Sequence, residues 1–82
     1  MKYEEFLIEI GKRLTKYRER SGLTINSLKN YSGVDPKTIQ RLESGFVCPI
    51  NLLTLLKILD VYGISMSEFF KGLDCPDISA FQ

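Results

Sequence analysis

Eighty-two residues, 44% of them hydrophobic and 26% charged, make one small domain with no room for a second core. The chain contains no histidine, which removes the usual proton shuttle at neutral pH and the commonest metal ligand, and most enzyme chemistry with them. A formal net charge of +1 argues against a protein that coats nucleic acid without selectivity, yet residues 1–45 carry nine basic against six acidic residues and residues 46–82 two against four, so an anionic partner is expected at the first half.

Five helical segments are predicted and no strand. The first runs from about Glu4 to Arg20: Tyr3, Phe6, Leu7, Ile10, Leu14 and Tyr17 form one apolar stripe, while Lys12, Arg13, Lys16, Glu19 and Arg20 take the opposite side. Ser21-Gly22 ends it. Thr24 caps a second segment that runs through Leu28 to Tyr31 or Ser32 and stops at Gly33. Asp35-Pro36 reads as a cap followed by proline at the first helical position, where a missing N–H costs nothing. The helix opened there holds Ile39 and Leu42 on its inner face and ends at Ser44-Gly45. Asn51 caps a fourth helix reaching Val61 or Tyr62, apolar on nearly every side and therefore expected at the centre of the fold. Ser65-Met66-Ser67-Glu68 has capping-box spacing and opens a last short helix through Phe69, Phe70 and Lys71, closed by Gly72. The tail from Leu73 to Gln82 either frays or packs on a neighbour.

Two short helices joined by a tight turn at Gly33, the second with a polar outer face, fit a helix-turn-helix, in which one helix braces and the next projects long side chains into a groove about 12 Å wide. The residues Leu14, Arg18, Gly22-Leu23-Thr24, Leu28, Gly33-Val34, Thr38-Ile39, Arg41-Leu42-Glu43, Gly45, Leu55-Leu56-Lys57-Ile58, Gly63-Ile64-Ser65 and Glu68-Phe69-Phe70 resemble, in spacing and type, the Cro and cI repressor-like (XRE) helix-turn-helix domains of bacteria and their phages. The resemblance covers roughly residues 6–72. It implies an all-α, five-helix, lambda-repressor-like domain over residues 1–72 with a tail at 73–82, and a sequence-specific DNA-binding transcriptional regulator, by default a repressor on a short palindromic operator.

Carried over by position, the resemblance makes the helix that begins at Pro36 the recognition helix, with Pro36, Lys37, Thr38, Gln40 and Arg41 reading bases. Lys37 or Arg41 suits guanine O6 and N7, and the Thr38 methyl suits a thymine methyl. Thr24, Ile25, Asn26 and Ser44 fall on phosphate-contacting positions. Ile25 stands where the family commonly has a glutamine, and Lys29 where it commonly has an alanine, so the lysine is expected to snorkel outward and add a phosphate contact or tilt the unit. Arg18 and Glu43 match a pair that the family often joins, a clamp holding the recognition helix at its docking angle. Phe46-Val47-Cys48 is apolar where relatives carry cations; Phe46 is expected to fold onto the core.

The resemblance further implies a homodimer on DNA through Phe69, Phe70 and the adjoining loop, one phenylalanine covering the core and the other meeting the partner. Catalysis is not expected: serine, threonine and cysteine have no histidine to activate them, and the carboxylates have structural explanations. No cofactor, metal or small-molecule ligand is implied. Cys48 and Cys75 each precede a proline and match neither a zinc site nor a CxxC pair, so they read as free thiols, with a bridge left open. No apolar run approaches the roughly 20 residues of a membrane span, and the N-terminus lacks the features of a signal peptide, so a cytoplasmic protein is expected. The competing reading is a protein-binding module on the same fold, an antitoxin-like or anti-repressor partner.

Overall fold

The computed structural model describes residues 2–46 and 50–76. Five helices follow one another: α1 Tyr3–Arg20, α2 Ile25–Ser32, α3 Pro36–Ser44, α4 Leu52–Tyr62 and α5 Met66–Phe69. No strand occurs among the described residues. Four of the five helices start as the capping residues dictate. Thr24 Oγ1 accepts from Ser27 N–H, Asp35 Oδ1 from Lys37 N–H, Asn51 Oδ1 from Leu53 N–H, and Ser65 Oγ from Glu68 N–H, each satisfying a donor that has no partner inside its helix. At α5 only this forward half of the capping box is made.

The core joins Ile10 and Leu14 of α1, Leu28 of α2, Val34 of the turn, Ile39 and Leu42 of α3, Leu55, Ile58 and Leu59 of α4, and Phe69 of α5. α1 crosses α3 very closely. A Cβ on Gly11 would lie 2.5 Å from the Glu43 carbonyl oxygen and 2.7 Å from that of Leu42, so the backbones meet where no other residue fits. This accounts for a glycine in mid-helix, a position that costs about 1 kcal/mol relative to alanine.

Three expectations are corrected here. α4 is not covered on all sides: Leu55, Ile58 and Leu59 are buried, but Leu52 and Leu53 are about 60% exposed (60% and 59%) and Leu56 41%, because α2 and α5 pack against the core-facing side only. The last helix does not run through Lys71; Arg13, from the polar side of α1, donates from Nη1 to the carbonyls of Phe69 and Lys71, both at 2.7 Å. The guanidinium thereby takes up carbonyls at the C-terminal end of α5, which stops at Phe69. Phe46 is 61% exposed and does not fold onto the core. Gly45 takes the left-handed conformation with Ile8 Cα 2.9 Å from where its Cβ would stand, and the chain turns outward there. Val47, Cys48 and the tail residues Ile78 and Phe81 lie outside the described residues; Cys75 is a free, exposed thiol.

Candidate nucleic-acid interface

α2 and α3 pack against each other across a turn of three residues, Gly33 to Asp35. Gly33 closes α2 at φ +75°, a conformation that glycine adopts at no steric cost. Val34 then drops into the core, its N–H donating to Ser32 Oγ, which itself donates to the Leu28 carbonyl. The turn is thus pinned from within, and the start of α3 is fixed relative to the end of α2.

α3 divides cleanly. Ile39 and Leu42 are buried, Pro36 and Thr38 are half-buried, and Lys37, Gln40, Arg41 and Ser44 are exposed. Lys37 and Arg41 stand four residues apart, hence on one face of the helix. Among the described residues neither side chain makes a hydrogen bond or ion pair. The two acidic residues of the same segment are engaged elsewhere, Asp35 as the cap of α3 and Glu43 with Arg18. The outward face of α3 therefore presents two uncompensated cations with an amide between them.

Residues 14–69 match the helix-turn-helix family model. The chain belongs to the helix-turn-helix family. It is 40% identical over 67 residues to the HTH-type transcriptional regulator PuuR of Escherichia coli K12, and equally to that of Shigella flexneri. The matched region is 82% of this chain but 36% of each relative, so the chain spans about a third of the length of the curated proteins it matches. No solved structure matches it significantly.

Around this helix-turn-helix, Thr24, Asn26 and Lys29 are exposed along α2 and its approach. Ile25 departs from the phosphate-contacting assignment: its side chain is half-buried against the core and has no polar atom to offer. Its backbone N–H, like that of Asn26, belongs to the first turn of α2, where donors lack intrahelical partners. Ser44 Oγ donates to the Arg41 carbonyl and stays exposed at the far end of α3.

Behind the helix-turn-helix, Arg18 of α1 meets Glu43 in a two-point pair, Nε to Oε2 at 2.8 Å and Nη2 to Oε1 at 3.0 Å. The hydrogen bond to Glu43 raises the Arg18 pKa above its ordinary value against the opposing effect of burial. Thr15 Oγ1 lies 3.0 Å from both Glu43 Oε1 and the Gly11 carbonyl oxygen. The last turn of α3 is therefore held from α1 by backbone contact at Gly11 and by two side chains. Gly11 and Thr15 escaped the sequence reading; a glycine inside a strongly patterned helix was the available signal.

Tyr62 also escaped it. Its ring stacks on Tyr17 at 6.0 Å between centroids, and its hydroxyl is buried with no hydrogen-bond partner among the described residues. Burial pushes the phenol up to about 12; the Glu43 carboxylate adds to this and Arg18 opposes it. Phe69 is completely buried and Phe70 half-buried, the latter stacked on Phe6 at 6.2 Å and edge-on to Phe69 at 5.0 Å. Of the two phenylalanines, Phe69 is thus the one that covers the core, since α5 turns it inward beneath α1. Among the described residues no group of histidine, cysteine or carboxylate side chains could hold a metal ion, and no helix is long and apolar enough to cross a membrane.

Proposed function

We propose that this chain is a DNA-binding transcriptional regulator, not an enzyme, that lays α3 in the major groove of a short palindromic operator and represses by occupying it as a homodimer. One observation carries the reading: Lys37 and Arg41 stand one turn apart on the outward face of α3, exposed and unpaired among the described residues, while Ile39 and Leu42 anchor the opposite face. Either cation suits guanine O6 and N7, Gln40 suits adenine N6 and N7, and Pro36 and the Thr38 methyl present apolar contacts to thymine. Thr24, Asn26, Lys29, Ser44 and the first N–H groups of α2 supply phosphate contacts that set register without choosing sequence. The regulator names of the relatives support the same function, and a cytoplasmic site of action follows from it.

A second reading, a protein-binding module on this fold, is favoured by one feature. Phe46 and Ile8 are 61% and 45% exposed beside Gly45, at the end of α3 where a DNA-gripping loop would carry cations. Selection of bound duplexes from random sequence, followed by a salt titration, separates the two. An operator reader enriches a defined motif, and log affinity falls linearly with log salt at a slope set by several phosphate contacts. No enrichment, with binding indifferent to salt, transfers the function to a protein partner.

A further inference from the structure

The outer side of α1 carries a second cationic surface, away from α3. Arg13, Lys16, Tyr17 and Arg20 follow one another at intervals of three, one and three residues, so they form one stripe. Gly11, Thr15 and Arg18, which meet α3, stand on the opposite side of the helix. The stripe forms one wall of an open groove of about 410 Å³; Glu68 of α5 and Lys71 just beyond it form the other. Four cations against one carboxylate among the described residues leave the groove a local excess of +3, in a chain whose formal net charge is +1.

Lys16, Arg20, Lys71 and Glu68 are exposed and form no ion pair among the described residues, so the excess is not neutralised from within. Arg13 differs from the lysines in being fixed. Its Nη1 is held by the carbonyls of Phe69 and Lys71, and neither Nε nor Nη2 has an acceptor among the described residues. The groove thus holds an anchored planar fork with donors to spare, the group that grips an oxyanion at two points, beside compact ammonium charges that meet it at one. From Arg13 to Arg20 the rise along α1 is only about 10 Å. A recess that short accommodates a compact polyanion, not the convex surface of a duplex.

We infer that the groove between α1 and the end of α5 is a binding site for a small phosphate-bearing molecule, with Arg13, Lys16, Arg20 and Lys71 holding the phosphate oxygens. Glu68 opposes them. The site lies across α1 from α3 and its test uses no DNA, so it fails or stands separately from operator reading.

Calorimetric titration of the full chain with inorganic pyrophosphate, and separately with adenosine diphosphate, at about 0.15 M salt is expected to show one saturable site. Tighter binding of the nucleotide assigns the site to a phosphate ester, and tighter binding of pyrophosphate assigns it to the free anion. K16Q/R20Q/K71Q is expected to weaken binding at least about tenfold while circular dichroism stays helical, and K37A/R41A is expected to bind as the parent does. Glu68→Gln removes the opposing carboxylate and is expected to tighten pyrophosphate binding about two- to fivefold, a gain that loss of folding cannot imitate. Failure of both probes to bind, including the case in which an acidic peptide binds instead, overturns the inference. So does an affinity that survives the triple variant, falls with K37A/R41A or does not rise in the Glu68 variant.

Discussion

Arg18 holds Glu43 by two parallel hydrogen bonds and spends its remaining terminal nitrogen, Nη1, on the Leu23 carbonyl 2.9 Å away. One guanidinium therefore ties α1 to the last turn of α3 and to the segment that leads into α2. The pair is largely shielded, with side-chain exposures of 17% and 9%, so removing one partner strands a charge. Arg18→Ala and Glu43→Ala are each expected to cost about 2–4 kcal/mol. The double variant R18A/E43A is expected to lose less than the sum of its singles. Urea unfolding of the four proteins checks this; additive losses would mean that the two charges act independently.

Gly11→Ala exchanges a poor helix former for the best one, a local gain of about 1 kcal/mol. The new methyl, however, meets backbone carbonyls at 2.5 and 2.7 Å, and backbone cannot rotate aside as a side chain does. Overpacking of this kind costs about 1–3 kcal/mol, so the substitution is expected to lower the melting temperature despite its helix propensity. A melting temperature at or above the parent's would show that α1 can move off α3 freely.

The helix starts were legible because each is written in one residue and read within the next three: Thr24, Asp35, Asn51 and Ser65 all bond forward as their chemistry requires. The outward face of α3 was legible for a similar reason, since a spacing of four places Lys37 and Arg41 together whatever surrounds them. Features that depend on distant chain were not. The end of α5 is capped by Arg13, 56 and 58 residues away, which takes the Phe69 and Lys71 carbonyls. Thr15 reaches a carboxylate 28 residues on. The apolar surround of α4 promised burial, but hydrophobicity records only what gains from cover, and α2 and α5 cover one side. Phe46 misled in the same way.

Tyr62 leaves its hydroxyl buried, and unpartnered among the described residues, close to a carboxylate. Tyr62→Phe removes that atom and keeps the ring on Tyr17, so stability is expected to hold or to rise by up to about 1 kcal/mol. The pH dependence has a definite sign. The folded phenol keeps its proton up to about 12, whereas the unfolded one loses it near about 10. Within that window the unfolded state binds fewer protons, and the stability from neutral Tyr62 declines as pH rises. Alkaline urea titrations are expected to fall less steeply for the phenylalanine variant. Identical slopes would assign the alkaline loss to other groups.

Because the Lys37 and Arg41 side chains make no hydrogen bond or ion pair among the described residues, Lys37→Ala and Arg41→Ala are expected to leave stability within about 0.5 kcal/mol of the parent. In the proposed base-reading role, each is expected to cost about 1–3 kcal/mol on the selected operator and to relax the preference at its own position. Lys29, exposed on α2, has the phosphate-contacting role in the proposed binding mode. Lys29→Ala is expected to weaken every duplex alike and to reduce the salt slope by about 1. Binding curves for the three variants on the operator and on a scrambled duplex distinguish these roles. Equal losses on both duplexes for all three variants would leave α3 a general cationic surface, without the base-reading function assigned to it.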